Sequence, residues 1–179
     1  MRTRVGYTGG TAPSPTYRSI GDHAESVWIE FDPAIITYEQ LLKEFWEAHN
    51  PEDQSPSRQY RNMVHFQTET QRAAAEASRT AIEERSGVPV ATDIVPATRF
   101  YVAEDYHQKY YLRSDRRWSV AVAHVYDSAD GLRDSTLAAR LNGCLAGYCT
   151  RDQLRQEQAS YGLTDEGNQA LERLVRTTR

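Results

Sequence analysis

Between residues 25 and 46 the apolar pattern changes period, and that change restricts the fold more than any other feature. Along residues 25 to 31, Val27, Ile29 and Phe31 point one way and Ser26, Trp28 and Glu30 the other. That alternation reads as a half-buried strand. Asp32-Pro33 stops it. Thr37 then caps a helix, and Gln40 three residues later completes a capping-box pattern. Tyr38, Leu41, Leu42, Phe45 and Trp46 fall at helical spacing, so the helix is amphipathic and its apolar face packs a core. Asn50-Pro51 ends it.

The same two periods recur on either side. Residues 2 to 7 read as a short strand closed by Thr8-Gly9-Gly10 and a loop holding Pro13 and Pro15. A strand is expected near residues 60 to 67, with Tyr60 entering it. Thr68-x-x-Gln71 opens an Ala-rich helix that runs to Ser86-Gly87. A strand around residues 90 to 95 ends at Pro96, and Glu104 to Leu112 reads as a further short helix. Strands followed by helices in this order describe an α+β layout. After residue 113 the chain turns polar and then helix-forming. Asp134 or Ser135 caps a helix with Leu137, Leu141 and Leu145 on one side, and Thr150 (with Gln153) and Thr164 cap two more. Residues 1 to 112 are therefore expected to form the core, and residues 113 to 179 a helical C-terminal extension.

Composition narrows the function classes. Mean hydropathy is -0.71 and no apolar run approaches the ~18 residues of a spanning helix, which excludes a helical membrane protein. Three Trp, eleven Tyr and four Phe in 179 residues are too many aromatics for a disordered chain. A net charge of -4 argues against a nucleic-acid partner, which wants a concentrated basic surface. The two cysteines, Cys144 and Cys149, are too few for a secreted disulfide framework, and Met1 to Tyr7 contain no apolar leader segment. A reduced, cytoplasmic setting is expected.

Three constellations carry potential chemistry. In Val5-Gly6-Tyr7-Thr8-Gly9-Gly10 an aromatic hydroxyl precedes a backbone that a ligand can approach closely. Glu25, in Gly21-Asp22-His23-Ala24-Glu25, opens an apolar strand, where a half-buried carboxyl could donate a proton near neutral pH. Gln59-Tyr60-Arg61 supplies a second aromatic hydroxyl. Each has a plainer reading: a glycine turn, a solvated strand-end carboxylate, a surface tyrosine. His23, His49, His65, His107 and His124 are scattered without zinc spacing, and Gly9-Gly10 leads into a Pro-rich loop rather than a phosphate-binding helix.

Taken in order, these segments carry a resemblance. With Pro15-Thr16-Tyr17, Phe31-Asp32-Pro33, the Ile36–Leu42 stretch, Phe45-Trp46, His49-Asn50-Pro51 and Phe100–Tyr110, they run through residues 3 to about 112. The chain resembles the A-type peptide methionine sulfoxide reductases. That resemblance implies a two-layer ferredoxin-like α+β core, reduction of methionine-S-sulfoxide, free or in peptides, and protein repair with thioredoxin as reductant. It implies no cofactor and no metal, and a monomer when complete. By motif, Glu25 is the implied acid, while Tyr7 and Tyr60 are the implied hydroxyls that bind the sulfoxide oxygen. His107 sits in the motif that packs beside the substrate. The alternative is a non-catalytic relative that binds methionine sulfoxide or oxidised peptides.

Two departures bear on that choice. The family's Gly-Cys-Phe-Trp nucleophile element precedes Val-Gly-Tyr, where this chain begins. Negligible reduction, an open strand edge near residues 2 to 7 and 25 to 31, and marginal stability are expected in consequence. The loop at residues 52 to 58 is also short, with Asp53 too early to match the family's Asp, although some members share the Ser57-Arg58-Gln59-Tyr60 form. Cys144 and Cys149 are two buried or idle thiols, a resolving pair, since Gly147-Tyr148-Cys149 resembles a family tail, or an independent redox pair. On a continuous helix they would point about 140° apart, so a bridge requires the helix to break. Gly143 and Gly147 allow that.

Overall fold

A computed structural model describes residues 1–116, 125–126, 128–161, 163, 165, 168–169 and 171–172. The cap expected at Thr164, and His124, lie outside the described residues. The elements run β1 (Arg2–Thr8), β2 (Ala24–Glu30), α1 (Tyr38–Glu47), β3 (Met63–Phe66), α2 (Glu69–Ser86), β4 (Asp93–Pro96), β5 (Tyr101–Val102), α3 (Tyr110–Ser114), α4 (Ala129–Arg133), α5 (Thr136–Leu145) and α6 (Arg151–Glu157). The mixture is α+β, as the two periods require.

The caps form where the sequence puts them. Thr37 accepts from the Gln40 amide and Gln40 answers, closing the capping box of α1. Thr68 caps α2, which ends on Gly87 at φ 72°, a left-handed position that suits glycine. Ser135 caps α5, and Thr150 with Gln153 repeats the capping box on α6. Two expectations give way. Residues 58 to 60 form a 3-10 turn, so Tyr60 precedes β3 rather than entering it. Helix α3 starts only at Tyr110, because Lys109 stands at φ 53° and breaks any helix begun at Glu104.

Two compact units divide the chain: Val5–Val27 with Phe31–Ala103, and Met1–Arg4 with Trp28–Glu30 and Glu104–Arg179. The first holds a core of Leu42, Trp46, Val64, Ala75 and Ile82, where the apolar face of α1 meets α2. Trp46 Nε1 donates to Ser78 Oγ at 2.9 Å, so the ring is buried without orphaning its N–H. The second unit packs Leu112, Leu137, Ala138, Leu141, Leu154 and Leu171.

Strand order in the larger sheet is β2-β1-β5, while β3 and β4 pair in parallel, Val64 opposite Ile94. β1 is thus a central strand, not an edge. β2 is an outer strand, and its expected apolar face is not buried: Val27 is 56% exposed. β1 pairs antiparallel with β5, Tyr7 opposite Tyr101. Gly6 belongs here because a Cβ would strike the Tyr101 carbonyl and come within 2.5 Å of the Phe100 ring.

Candidate active site

The loop between β1 and β2 is tied down from inside. Asp22 accepts from the amides of Thr11 and Ala12 and from the Thr11 hydroxyl, at 2.8 to 2.9 Å. The Ala12 and Thr11 amides hold its carboxyl well below the usual carboxylate range. His23 is buried; its Nδ1 accepts from the Gly10 amide at 3.2 Å and its Nε2 donates to the Ala12 carbonyl at 2.8 Å. Gly10 permits this, since a Cβ would lie 2.5 Å from the Asp22 carboxylate. The His23 ring also meets Tyr101 edge-on, with centroids 5.4 Å apart.

This loop is anchored to the 3-10 turn by Arg58, which donates to the carbonyls of Asp22 (3.1 Å) and Gly9 (3.0 Å). The turn's next two side chains reach β2 and the loop that precedes it. Gln59 Nε2 donates to Glu25 Oε1 at 2.7 Å. The Tyr60 hydroxyl bonds to Tyr17, which raises its pKa above the ordinary tyrosine value, and the negative charge of Glu25 adds to that. Tyr60 therefore stays a protonated donor.

Three of the four candidate residues, Tyr7, Glu25 and Tyr60, belong to the unit built from Val5–Val27 and Phe31–Ala103. Tyr7 is buried at 2% exposure, whereas Tyr60 is 54% exposed. Glu25 is exposed rather than half-buried. The reason is its place on an outer strand, where Ala24 turns inward and Glu25 outward. His107 belongs to the other unit, where its ring lies 4.2 Å from that of Tyr106 and its amide donates to the Glu104 carbonyl. Asp53 accepts from Asn50 Nδ2 at 2.8 Å and braces the loop after α1.

Sequence reasoning did not single out Tyr17, Gln59 or Arg58 as site residues. Their signal was the position of Tyr17 in Pro15-Thr16-Tyr17 and the adjacency of Arg58 and Gln59 to Tyr60. Cys144 and Cys149 are joined in a disulfide with Cα atoms 4.6 Å apart. Helix α5 ends at Leu145 and Gly147 takes φ 94°, so the break that a bridge requires occurs at the glycine that allows it. Among the described residues no cluster of His, Cys, Asp and Glu could hold a metal ion, and no helix is long and apolar enough to cross a membrane.

Residues 1–134 match the sequence model of a family described as peptide methionine sulfoxide reductase. A peptide methionine sulfoxide reductase of Drosophila melanogaster is 37% identical over 166 residues, covering 92% of this chain and 66% of that protein. The MsrA of Methanosarcina acetivorans is 43% identical over 123 residues, covering 62% of this chain and 65% of its own. The chain thus spans just under two thirds of the length of these relatives. Among solved structures, methionine sulfoxide reductase A of Corynebacterium diphtheriae superposes with a TM-score of 0.53 at 29% identity, over 63% of each chain. Reduced Mxr1 of Saccharomyces cerevisiae gives 0.56 at 26%, over 63% of this chain and 70% of its own. The chain belongs to the A-type peptide methionine sulfoxide reductase family.

Proposed function

We propose that this chain binds the sulfoxide of oxidised methionine, S epimer, free or in a peptide, and serves its reduction with thioredoxin as electron donor. Glu25 gives a proton to the sulfoxide oxygen, and Tyr7 and Tyr60 donate hydrogen bonds to the same atom. The observation that carries the reading is the 2.7 Å bond from Gln59 to Glu25, which ties the carboxyl to the turn bearing Tyr60. With Oε1 engaged by an amide donor, Oε2 is left to carry the transferable proton.

The chemistry requires a thiolate. It attacks the sulfoxide sulfur, the S–O bond breaks, and the oxygen ends on the attacking sulfur as a sulfenic acid while methionine leaves. A second thiol condenses with the sulfenic acid, releasing water and forming a disulfide that the dithiol of thioredoxin reduces. Cys144 and Cys149 are the proposed resolving pair. A two-layer ferredoxin-like core over residues 1–112, a helical extension over 113–179, a cytoplasmic location and a monomeric state belong to the same proposal.

One observation favours a second reading, binding without turnover: the chain's two cysteines are bonded to each other, so neither is a free thiolate. The full chain incubated with a methionine-S-sulfoxide peptide and a thioredoxin system separates the two. Stereospecific loss of one oxygen by mass spectrometry supports reduction. Saturable binding with no loss supports the binder. Neither binding nor loss overturns both.

A further inference from the structure

A cavity of about 430 Å³ in the unit of Val5–Val27 and Phe31–Ala103 is lined by Arg58 and Arg61, the residues flanking Gln59 and Tyr60. Asp93 and Thr98 complete its polar wall, and Met63 and Val95 supply apolar surface. Its donors and charges can be counted. Arg61 donates through Nε and Nη2 to Asp93 Oδ2, at 3.1 and 2.8 Å, so these two charges cancel. The Thr98 hydroxyl accepts from the Gly9 amide and meets Thr8 Oγ1, whose own hydrogen goes to the Arg99 carbonyl. The single hydrogen of Thr98 is therefore spent on Thr8.

Arg58 is the imbalance. Its Nε and Nη2 serve the neutral carbonyls of Asp22 and Gly9, and among the described residues no carboxylate pairs with it. A guanidinium carries five N–H donors, so further donors remain on a fork already held in place at two points. The cavity thus has one net positive charge, unused planar donors and an apolar floor. That set suits a carboxylate on a short aliphatic stem.

We propose that this cavity is a carboxylate subsite that takes an acidic side chain of the same polypeptide whose oxidised methionine meets Glu25. The identity of the polypeptide rests on the function proposed above; the carboxylate rests on the cavity alone.

His65 supplies a reporter. Its ring lies against Gly9, 3.1 Å from the position of a Cβ there, and burial, with the Arg58 charge, holds its pKa below the ordinary histidine value. An anion on Arg58 offsets that charge and raises the His65 pKa.

Two measurements on the full chain test this. The first titrates His65 by NMR with N-acetylglutamate amide, N-acetylglutamine amide and inorganic phosphate. Only the glutamate compound is expected to raise the His65 pKa; no response to it, or an equal response to phosphate, overturns the carboxylate site. The second compares peptides with Glu or Gln near methionine sulfoxide. The Glu peptide is expected to bind about two- to fivefold tighter at low salt, the size of a part-exposed ion pair. The preference disappears near 1 M salt, where the screening length is about 3 Å. Arg58→Gln removes the preference. Asp93→Asn, which leaves the Arg58 clamp untouched, increases it, so a loosened Arg58 variant does not decide the question. If glutamate moves His65 but the sulfoxide adds nothing to peptide binding, the subsite stands and the sulfoxide reading falls. Equal binding of both peptides at low salt overturns the subsite.

Discussion

Gln59 donates to Glu25 at 2.7 Å, from a 3-10 turn to an outer strand. The turn is in turn held by Arg58 on the Asp22 and Gly9 carbonyls, so the loops after β1 and before β3 share one anchorage. On the proposed function, Glu25→Gln keeps the shape and removes the transferable proton. Wherever reduction is measurable, its rate should fall about 10²–10⁴-fold, the usual worth of a general acid. Gln59→Leu should reduce it less, because the proton remains and only its orientation is lost. An Glu25→Gln variant with unchanged single-turnover rate would remove Glu25 from the mechanism.

Gly6 is set against the Tyr101 carbonyl and the Phe100 ring with no room for a methyl group. Gly6→Ala must push β1 and β5 apart at the point where Gly6 pairs with Val102. A loss of about 1–3 kcal/mol is expected, the range for overpacking. Urea denaturation checks it. A Gly87→Ala control has open space around it, but its φ of 72° adds only local backbone strain.

Lys109 is buried, with Nζ donating to the Thr3 carbonyl at 2.5 Å and to the Thr3 hydroxyl at 3.0 Å. Burial pulls its pKa down to about 8, from the ordinary lysine value of 10.5. Between those values the unfolded chain binds more protons than the folded one, so this group's contribution to stability rises with pH. From pH 8 to 10 the wild type should gain stability relative to Lys109→Met. The tyrosines with raised pKa, Tyr38 and Tyr126 among them, begin to titrate in the unfolded chain near the upper end of that window, but both proteins carry them and their contribution cancels in the difference. Parallel denaturant curves for the two proteins across this range give the difference; a flat or falling difference contradicts the assignment.

The Cys144–Cys149 bridge closes a loop with a sequence separation of five. Loop-closure entropy assigns such a bridge about 2 kcal/mol. Reduction by dithiothreitol should lower the stability of the helical unit by that amount and free both thiols for titration. A Cys144→Ser variant should match the reduced protein and show no response to reductant.

Local chemistry was legible in the sequence. Thr37 with Gln40, Thr68, Ser135 and Thr150 with Gln153 cap their helices because a hydroxyl meeting an amide two or three residues on needs nothing from the rest of the chain. Tyr7, Glu25 and Tyr60 were found through motif order, which records chain positions and not their surroundings. What only tertiary structure decided was exposure and partnership. Whether Val27 is covered and Glu25 half-buried depends on β2 lying outermost in its sheet, and strand order is a property of distant segments. Lys109 halts a helix at φ 53° while its ammonium reaches Thr3, more than a hundred residues away in sequence. The cysteine bridge lay between: Gly147 permitted the break, but the closing of the pair depended on where α5 ended and how the chain turned after it.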